Sequence, residues 1–492
     1  MSIFSPDKTY PVYCIDCWWS DRWDSMQYGR AFDFNSSFSE QWGKLFDAVP
    51  KLGLFQLPGE VNSAYTQDNT GVKNCYMTFD GEGGEDSYYG ETFIKIKDCC
   101  DFLGLQQTEL AYECVQCQDC YSITFSRFCR NCSDSAFLLD CQACKHCLGC
   151  ANLSQKELCI FNVQYTKEEY EKKVLSYELH TRKGLAQLRS EAERFFLTQP
   201  RKACRNMMSE NVSGDDLIQC KNVLDSFDCI GLSDSRYCTH TYGASDCQDV
   251  DGWGNGLTVA YDSSYVGGGA QNVAACFYVG MGASNVYHSA FCIQNVANIF
   301  GSIALMHKEY CILNKQYTKE EYETLTPRIL EHLQKSGELG QFFGTELSAY
   351  AYNESVAQDY FPLNEKQAKE LGFTWYSAVK EIPAVKKIID ASALPESIDD
   401  VPDDVLNWAI RCRVTERPFR IQNAELNFCR KMHIPIPQYH FDVRHAARLS
   451  LRNPRQIWQR QCQKCERQID TTYAPERPEI IYCEECYLKD IY

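Results

Sequence analysis

No stretch of the sequence approaches the roughly 18 uninterrupted apolar residues that a membrane-spanning helix needs. Residues 1–8 contain no apolar core of the kind that a secretory signal peptide carries. No histidine stands in a metal-ligand or triad pattern, and no glycine-rich stretch has the strand–helix context of a nucleotide site. The sequence therefore predicts a cytoplasmic protein that has no membrane helix, and it offers no catalytic residues.

What the chain does contain is cysteine, with 29 in 492 residues. Two runs repeat at a strict interval of nine: Cys132, Cys141, Cys150, Cys159, and then Cys220, Cys229, Cys238, Cys247. A short fixed period is typical of a solenoid, in which the recurring residue faces a common interior. We expect a mainly β fold with helices, built from two β-solenoid-like lobes whose coils each take roughly eighteen residues.

These cysteines are expected to be buried thiols or metal ligands in a reducing cytosol, and the alternative is a secreted disulfide framework. Two runs also have metal-like spacing: Cys114, Cys117, Cys120, and then Cys141, Cys144, Cys147, Cys150 with His146 among them. Such spacing suits zinc or iron–sulfur ligands. Stacked buried thiols are the preferred interpretation, because cysteine packs as a small apolar residue, and an additional metal stays open.

The clearest internal repeat is expected to end each lobe. Residues 156–171 return as residues 308–323 with thirteen of sixteen positions identical. Each copy predicts a last buried strand and then a helix, because a threonine precedes a glutamate by three residues as in a capping box: Thr166 with Glu169, and Thr318 with Glu321. The two helices are expected to run to about Leu197 and about Phe343.

Five segments follow from these patterns. They are a half ribbon with a short helix (1–60), a first solenoid lobe with its capping helix (61–200), a second lobe with its capping helix (201–345), a connector (346–404) and a basic module with a zinc ribbon (405–492). The short helix is predicted by the helical spacing of Phe38, Trp42, Leu45 and Phe46, and Pro50 should end it.

Two Cys-x-x-Cys pairs near the C-terminus are the strongest chemical signal. They are Cys462 with Cys465 and Cys483 with Cys486, separated by seventeen residues. Two such knuckles complete a tetrahedral shell of four thiolates, and this shell is typical of a structural zinc site with no open position. Residues 469–473 and 480–482 are expected to form the strands of the ribbon.

The N-terminus resembles half of this ribbon. Val12-Tyr13-Cys14-x-x-Cys17-Trp18 matches Ile481-Tyr482-Cys483-x-x-Cys486-Tyr487 at a shift of 469. Cys14 and Cys17 would then be two ligands without their partners. Three interpretations stay open: a metal-free knuckle, a zinc completed elsewhere in the chain, or a zinc completed by another subunit.

Charge divides the chain unevenly. Residues 411–467 carry thirteen basic and four acidic residues, a net of +9, so the formal total of −17 leaves −26 for the remainder. An acidic body repels phosphates and a basic segment attracts them. Any nucleic acid contact is therefore expected at a basic, aromatic patch beside the ribbon: Arg444, Arg448, Arg452, Arg455, Trp458 and Arg460.

The chain resembles a family of uncharacterised, cysteine-rich zinc-ribbon proteins of candidate-phyla (Patescibacteria-type) bacteria, often labelled CoA-transferase-like. The matching stretches are residues 13–24 with Tyr28-Gly29 and 32–34, the cysteine-rich middle, and residues 434–437 through 448–454 to the last ribbon. The resemblance covers most of the chain. It implies a zinc ribbon and solenoid-like repeats, and no established activity.

Two departures from that family pattern matter. The resemblance implies a ribbon module ahead of the Cys-Trp-Trp segment, which has no counterpart here. It also implies two further cysteine pairs before the last ribbon, where this sequence has Cys412, Thr415, His440 and Val443. With two of four ligands present, that site is expected to be empty and held by apolar packing.

Three functions are weighed on these observations. The first is a non-enzymatic structural or interaction protein that presents solenoid faces to a protein partner or to other copies of itself, with residues 1–24 in the interface. The second is nucleic-acid binding through residues 411–467. The third, an enzyme using CoA chemistry, finds no supporting residues.

Overall fold

The computed structural model describes residues 2–56, 59–377, 385 and 387–491. They form a mainly β protein with helices, in which two large and mostly parallel sheets dominate. In the described ranges, no helix has the length and apolarity needed to cross a membrane.

The N-terminal segment forms a small unit beside these sheets. Its elements are β1 (Val12–Tyr13), α1 (Ile15–Trp18), α2 (Phe38–Ala48) and β2 (Lys51–Leu52). The predicted helix α2 is confirmed: Ser37 caps it through the backbone N–H of Glu40, and its four predicted apolar residues are buried. Strand β1 pairs in parallel with β2, directly after Pro50.

The first sheet, here called the first stack, has ten strands that lie side by side in the order of the sequence. They are β3 (Gln67–Thr70), β4 (Tyr76–Glu82), β5 (Tyr88–Ile94), β6 (Lys97–Gln106), β7 (Glu109–Gln118), β8 (Tyr121–Thr124), β9 (Ser133–Ala136), β10 (Lys145–Leu148), β11 (Glu157–Ile160) and β12 (Val163–Gln164). All neighbours are parallel except β11 and β12. Paired residues stand 12 positions apart, as Lys145 and Glu157 do, so the expected coil of eighteen residues is wrong.

A step of three residues underlies this register. Asp140, Ala143 and His146 have φ of 50°, 51° and 49°, and this left-handed conformation recurs at nearly every third residue from Asn62 to Phe161. Buried side chains follow the same step, one residue later: Cys141, Cys144, Cys147 and Cys150 are each at most 1% exposed. Each left-handed residue turns the chain at a corner, so four corners close one coil. The nine-residue cysteine interval is three of these steps.

Cysteine suits the buried position for a chemical reason. Cys141 Sγ lies 3.5 Å from the carbonyl of Leu139 and 3.6 Å from that of Cys150, and the same two contacts recur at Cys114, Cys117, Cys120, Cys132, Cys144, Cys147, Cys150, Cys220, Cys229 and Cys238. A thiol is a small apolar group that is also a weak donor. It therefore fills the corner and directs its S–H at the backbone.

The second sheet, the second stack, repeats this plan. Its strands are β14 (Glu210–Ile218), β15 (Lys221–Ile230), β16 (Ser233–Gly267), β17 (Gln271–Ala274), β18 (Phe277–Gly280), β19 (Ser284–Tyr287), β20 (Ala297–Phe300), β21 (Glu309–Ile312) and β22 (Lys315–Gln316), and β13 (Arg201–Lys202) precedes them. Lys221 pairs with Ser233, 12 residues on. From Thr258 to Ala297 the offset is 13 residues.

Helices follow both stacks, as the repeat predicted. Their bounds are α3 (Lys167–Ser176), α4 (Arg182–Leu197) and α5 (Lys319–Ser336). Both predicted capping boxes are present. The single helix expected after the first stack is instead two, because Glu178 has φ of 50° and Thr181 caps a new helix. Helix α5 ends at Ser336, short of Phe343, because Gly337 takes the left-handed C-cap conformation.

The rest of the chain is a set of short elements packed against the stacks. They are α6 (Ala357–Tyr360), α7 (Glu365–Glu370), β23 (Lys387–Asp390), β24 (Trp408–Arg411), β25 (Pro418–Phe419), α8 (Asn423–Met432), α9 (Phe441–Leu449), β26 (Trp458–Gln461), β27 (Gln468–Thr471), β28 (Ile481–Tyr482) and α10 (Glu484–Ile491). Helix α9 lies against β5, β6 and β7 of the first stack.

Candidate metal centre and the basic module

Four cysteines of the C-terminal segment converge as predicted. Cys462 follows β26, Cys465 lies between β26 and β27, and the second pair, Cys483 and Cys486, follows β28 into α10. The four sulfurs lie within 4.8 Å of one another, and Cys465 Sγ is 3.8 Å from Cys483 Sγ. Sulfurs about 3.8 Å apart form the edges of a tetrahedron with zinc–sulfur bonds of about 2.3 Å. The cluster could therefore hold a metal ion.

Backbone groups prepare one of these thiols for ligation. Cys462 Sγ accepts a hydrogen bond from the backbone N–H of Cys483 at 3.2 Å. Burial raises the pKa of Cys462, but this bond and those from Cys465 and Lys464 outweigh it and lower the pKa to about 6. Burial and the neighbouring thiols raise the pKa of Cys486 to about 12. A bound cation would supply the charge needed to ionise all four thiols together.

The second knuckle is held by a strand from elsewhere in the chain. Strand β28 pairs in parallel with β13 rather than with β27, so the ribbon strands expected at 480–482 and 469–473 do not form one sheet. The backbone N–H of Arg201 donates to the carbonyl of Ile480 at 2.7 Å, and Ala203 donates to Tyr482 at 2.9 Å. The candidate metal centre thus closes the junction between the two stacks.

The N-terminal knuckle docks in the same way on β2. The backbone N–H of Lys51 donates to the carbonyl of Pro11 at 2.9 Å, and Gly53 donates to Tyr13 at 2.8 Å. Cys14 is exposed and Cys17 is half-exposed. Among the described residues, no third cysteine, histidine or carboxylate gathers with them into a ligand group. Of the three interpretations, a zinc completed elsewhere in the described chain therefore has no support.

The cysteines of the stacks are buried thiols. Every one of the 29 cysteines in the chain is free, and in the described parts no three sulfurs of the Cys114–Cys150 runs approach within 4.8 Å. Burial raises the pKa of Cys99 to about 12 and that of Cys238 to about 12. Stacked thiols, the preferred interpretation, agree with this arrangement.

The basic residues assigned to a nucleic-acid patch are not on the surface. Arg444 and Arg448 are 5% and 1% exposed, and both bind Asp101 of the first stack. Arg444 Nη1 is also 3.0 Å from Glu425 Oε1. The predicted patch is wrong at these positions, because the guanidinium groups neutralise buried carboxylates rather than facing solvent.

The next two arginines bind the other stack. Arg452 and Arg455 both pair with Asp228, the second through Nε at 3.1 Å. Their charges hold the pKa of Asp228 well below its usual range despite burial. Trp458 and Arg460 lie half-buried in β26, and Arg460 Nη1 donates to the carbonyl of Ala474 at 3.2 Å. The basic module thus joins both stacks through internal ion pairs.

Sequence reasoning missed the partners of these arginines. Asp101 is fully buried and lies with Cys100 and Glu425 in a second group of candidate ligand atoms. Arg444 already neutralises that group, so it serves as an ion-pair network. Asp101 and Asp228 stand at left-handed corner positions, with φ of 55° and 57°, and only the three-residue step could have marked them. Cys412 and His440, from the site expected to be empty, are buried, and no four-ligand group forms there among the described residues.

Comparison with known proteins adds little to this geometry. No family model and no curated protein matches the chain. A crystal structure described as a "putative acetyltransferase" from Desulfovibrio desulfuricans G20 aligns with 54% of this chain and 68% of its own, at 10% sequence identity and a TM-score of 0.12. A likeness this distant carries no argument about fold or activity.

Proposed function

We propose that this chain is a non-enzymatic, zinc-binding structural or interaction protein of the cytoplasm. The four-thiol cluster at Cys462, Cys465, Cys483 and Cys486 carries the proposal. A zinc there has four protein ligands and no position for water or substrate, as structural sites do. Since β28 closes the junction of the stacks, the metal stabilises the arrangement of the whole molecule.

The two stacks are proposed to be solenoid lobes that serve as binding platforms. Their parallel register of 12 to 13 residues and their inward thiols support this interpretation. The outer faces carry polar ladders, for example Asn272, Asn285 and Asn298 joined at 2.8 Å and 3.0 Å. A flat ladder of this kind suits a protein partner or another copy of the chain.

Self-association is proposed to involve residues 1–24. Val12 and Trp19 are 37% and 42% exposed beside the exposed thiol of Cys14, whereas Ile481, which occupies the position of Val12 in the other knuckle, is fully buried. An apolar patch around two free thiols would be covered in a complex.

The test is metal content per chain together with mass in solution. Freshly purified, reduced protein should contain at least one tightly held zinc per chain by elemental analysis, and light scattering should give more than the mass of one chain. Protein without zinc would contradict the metal centre. A zinc-loaded monomer at all accessible concentrations would contradict self-association alone.

A further inference from the structure

The contact between the two stacks, here called the seam, is lined by groups that titrate. Left-handed corner residues of the first stack face those of the second in opposite order. Tyr278 Oη donates to Asp68 Oδ1 at 3.0 Å, His240 Nε2 lies 3.3 Å from Asp80 Oδ2, and Gln116 Nε2 donates to Asp216 Oδ2 at 3.3 Å. Apolar side chains are not what joins the stacks at these positions.

A second histidine bridges the seam from the basic module. His445 Nε2 lies 3.5 Å from Asp359 Oδ2 of the connector and 3.9 Å from Glu91 Oε2 of the first stack. The side chains of His445, Glu91 and His240 keep 24%, 22% and 20% of their exposure. Water and protons therefore reach groups that the two stacks enclose.

Carboxylates outnumber the cations along this contact. The acidic groups are Asp68, Asp80, Glu91, Asp228, Asp251 and Asp359; the basic groups are Arg448, Arg452, Arg455, His240 and His445; the phenols are Tyr242, Tyr265, Tyr278 and Tyr360. Asp228 takes both Arg452 and Arg455, and Arg448 is bound to Asp101. Asp68, Asp80 and Glu91 face no arginine within ion-pair distance among the described residues.

From this arrangement we propose that the seam is a proton-dependent latch, which holds the stacks together in mild acid and loosens as the pH rises through neutrality. Like-charged carboxylates brought together in a partly dry contact are stable only when protons or cationic histidines offset them. The latch differs from the proposed function, because it concerns the two stacks of one chain and needs neither metal nor partner.

The direction of the shifts at three groups agrees. Burial, reinforced by Asp80, raises the pKa of Asp68 to about 6. Burial likewise raises the pKa of Glu91 despite the charge of His445. Burial disfavours the cation of His445, but the hydrogen bond to Asp359 and the charge of Glu91 outweigh it and raise the pKa. Groups whose pKa is raised in the closed state bind protons more tightly there, so closure is favoured at low pH and lost as the pH rises through those values.

Other buried groups titrate in the same range with the opposite sign. Burial lowers the pKa of Lys51 to about 7 and that of His288 to about 4, and each of these favours the folded state more as the pH rises. A single melting curve therefore cannot isolate the seam, and the test compares proteins.

The experiment measures the thermal midpoint of the full chain from pH 5.5 to 8. The double variant Asp68→Asn, Glu91→Gln removes the charges that need protons, so its midpoint relative to the native chain should rise at pH 8 and change little at pH 5.5. His445→Gln should lower the midpoint at pH 6 and have a smaller effect at pH 8. His433→Gln is the matched control, because His433 pairs with Asp399 at 3.2 Å but its side chain is 57% exposed; its pH profile should follow the native one.

Small-angle X-ray scattering separates a latch from a general change in stability. The radius of gyration of the native chain should increase between pH 5.5 and pH 8, and that of the double variant should not. The proposal is overturned if the native dimensions are independent of pH. It is also overturned if the double variant keeps the native profile, or if His433→Gln flattens it as much as His445→Gln does. Should the double variant fail to fold, His445→Gln and the native scattering still decide the matter.

Discussion

Arg444 and Arg448 show how much a buried charge depends on one partner. Both guanidinium groups bind the carboxylate of Asp101 at the surface of β6, and each is at most 5% exposed. Breaking a buried pair leaves a charge without compensation, which costs far more than losing a pair in water. The attachment of the basic module to the first stack therefore depends on a single carboxylate.

Asp101→Asn should lower the free energy of unfolding by about 3–5 kcal/mol, because it leaves two buried cations with only part of their counter-charge. Urea denaturation measures the change. Asp403→Asn is the control, since Asp403 pairs with Arg430 at 2.7 Å with its side chain 84% exposed, and its effect should stay within about 1 kcal/mol. Equal effects of the two substitutions would contradict the buried network.

The thiols of the stacks should be slow to react in the native protein. The raised pKa of groups such as Cys99 and Cys276, each about 12, leaves almost no thiolate at pH 8. Alkylation followed by mass spectrometry should label Cys14, Cys17 and Cys204 first, because these are exposed or half-exposed. After denaturation all 29 should react, and a largely disulfide-bonded protein would refute both the buried thiols and the expected cytoplasmic location.

At the level of elements, the sequence was most informative where a local rule decides the structure. Both capping boxes, helix α2 and the two terminal knuckles follow from residues within one or two turns of each other. The coil length could not be read in the same way. A nine-residue cysteine interval fits any coil built from three-residue steps, and only the pairing of Lys145 with Glu157 shows that four steps close a coil.

The second knuckle is the element on which the metal centre depends. Cys483→Ser should release the metal, because three thiolates leave an open shell, and should unfold the C-terminal ribbon while the stacks persist. Since β28 pairs with β13, amide exchange should also increase at Arg201 and Ala203. Cys204→Ser is the control, as Cys204 is close to the ribbon but outside the cluster. Retention of full metal content by Cys483→Ser would contradict the assignment.

On the scale of the whole molecule, the uneven charge has an internal explanation. The basic segment of +9 lies between two acidic stacks, and Arg444, Arg448, Arg452 and Arg455 reach one carboxylate of each. Sequence alone gives the sign of a segment but not the residue, more than 200 positions away, that meets it. This is why a clear charge pattern led to the wrong location for these side chains.

The full chain should therefore show no salt-sensitive shift with RNA or DNA in a gel at low salt. The engaged arginines cannot neutralise phosphates, and the acidic exterior opposes approach. Binding that weakens steeply with salt and is lost on replacing Arg411 and Arg413, which stand in the exposed part of the basic segment, would restore nucleic acid as a partner.

Self-association should respond to changes in the exposed N-terminal patch. Val12→Asp with Trp19→Ser should lower the mass found by light scattering without lowering the thermal midpoint, because both side chains are largely outside the core. Leu175→Asp, at a position 77% exposed on α3, is the control and should leave the mass unchanged. An unchanged mass in the double variant would remove residues 1–24 from the interface.

The change from 12 to 13 residues per coil constrains how this fold can vary. The extra residue first occurs around Gly254, where φ is 110°, and each following coil carries its own, with Gly267 and Gly280 stacked so closely that a Cβ at either would lie 2.6 Å from the carbonyl of the glycine before it. A parallel ladder passes its perimeter from one rung to the next. An insertion in one coil therefore becomes tolerable only when its neighbours lengthen as well, so coil length in such a protein should change in blocks of adjacent coils and not one coil at a time.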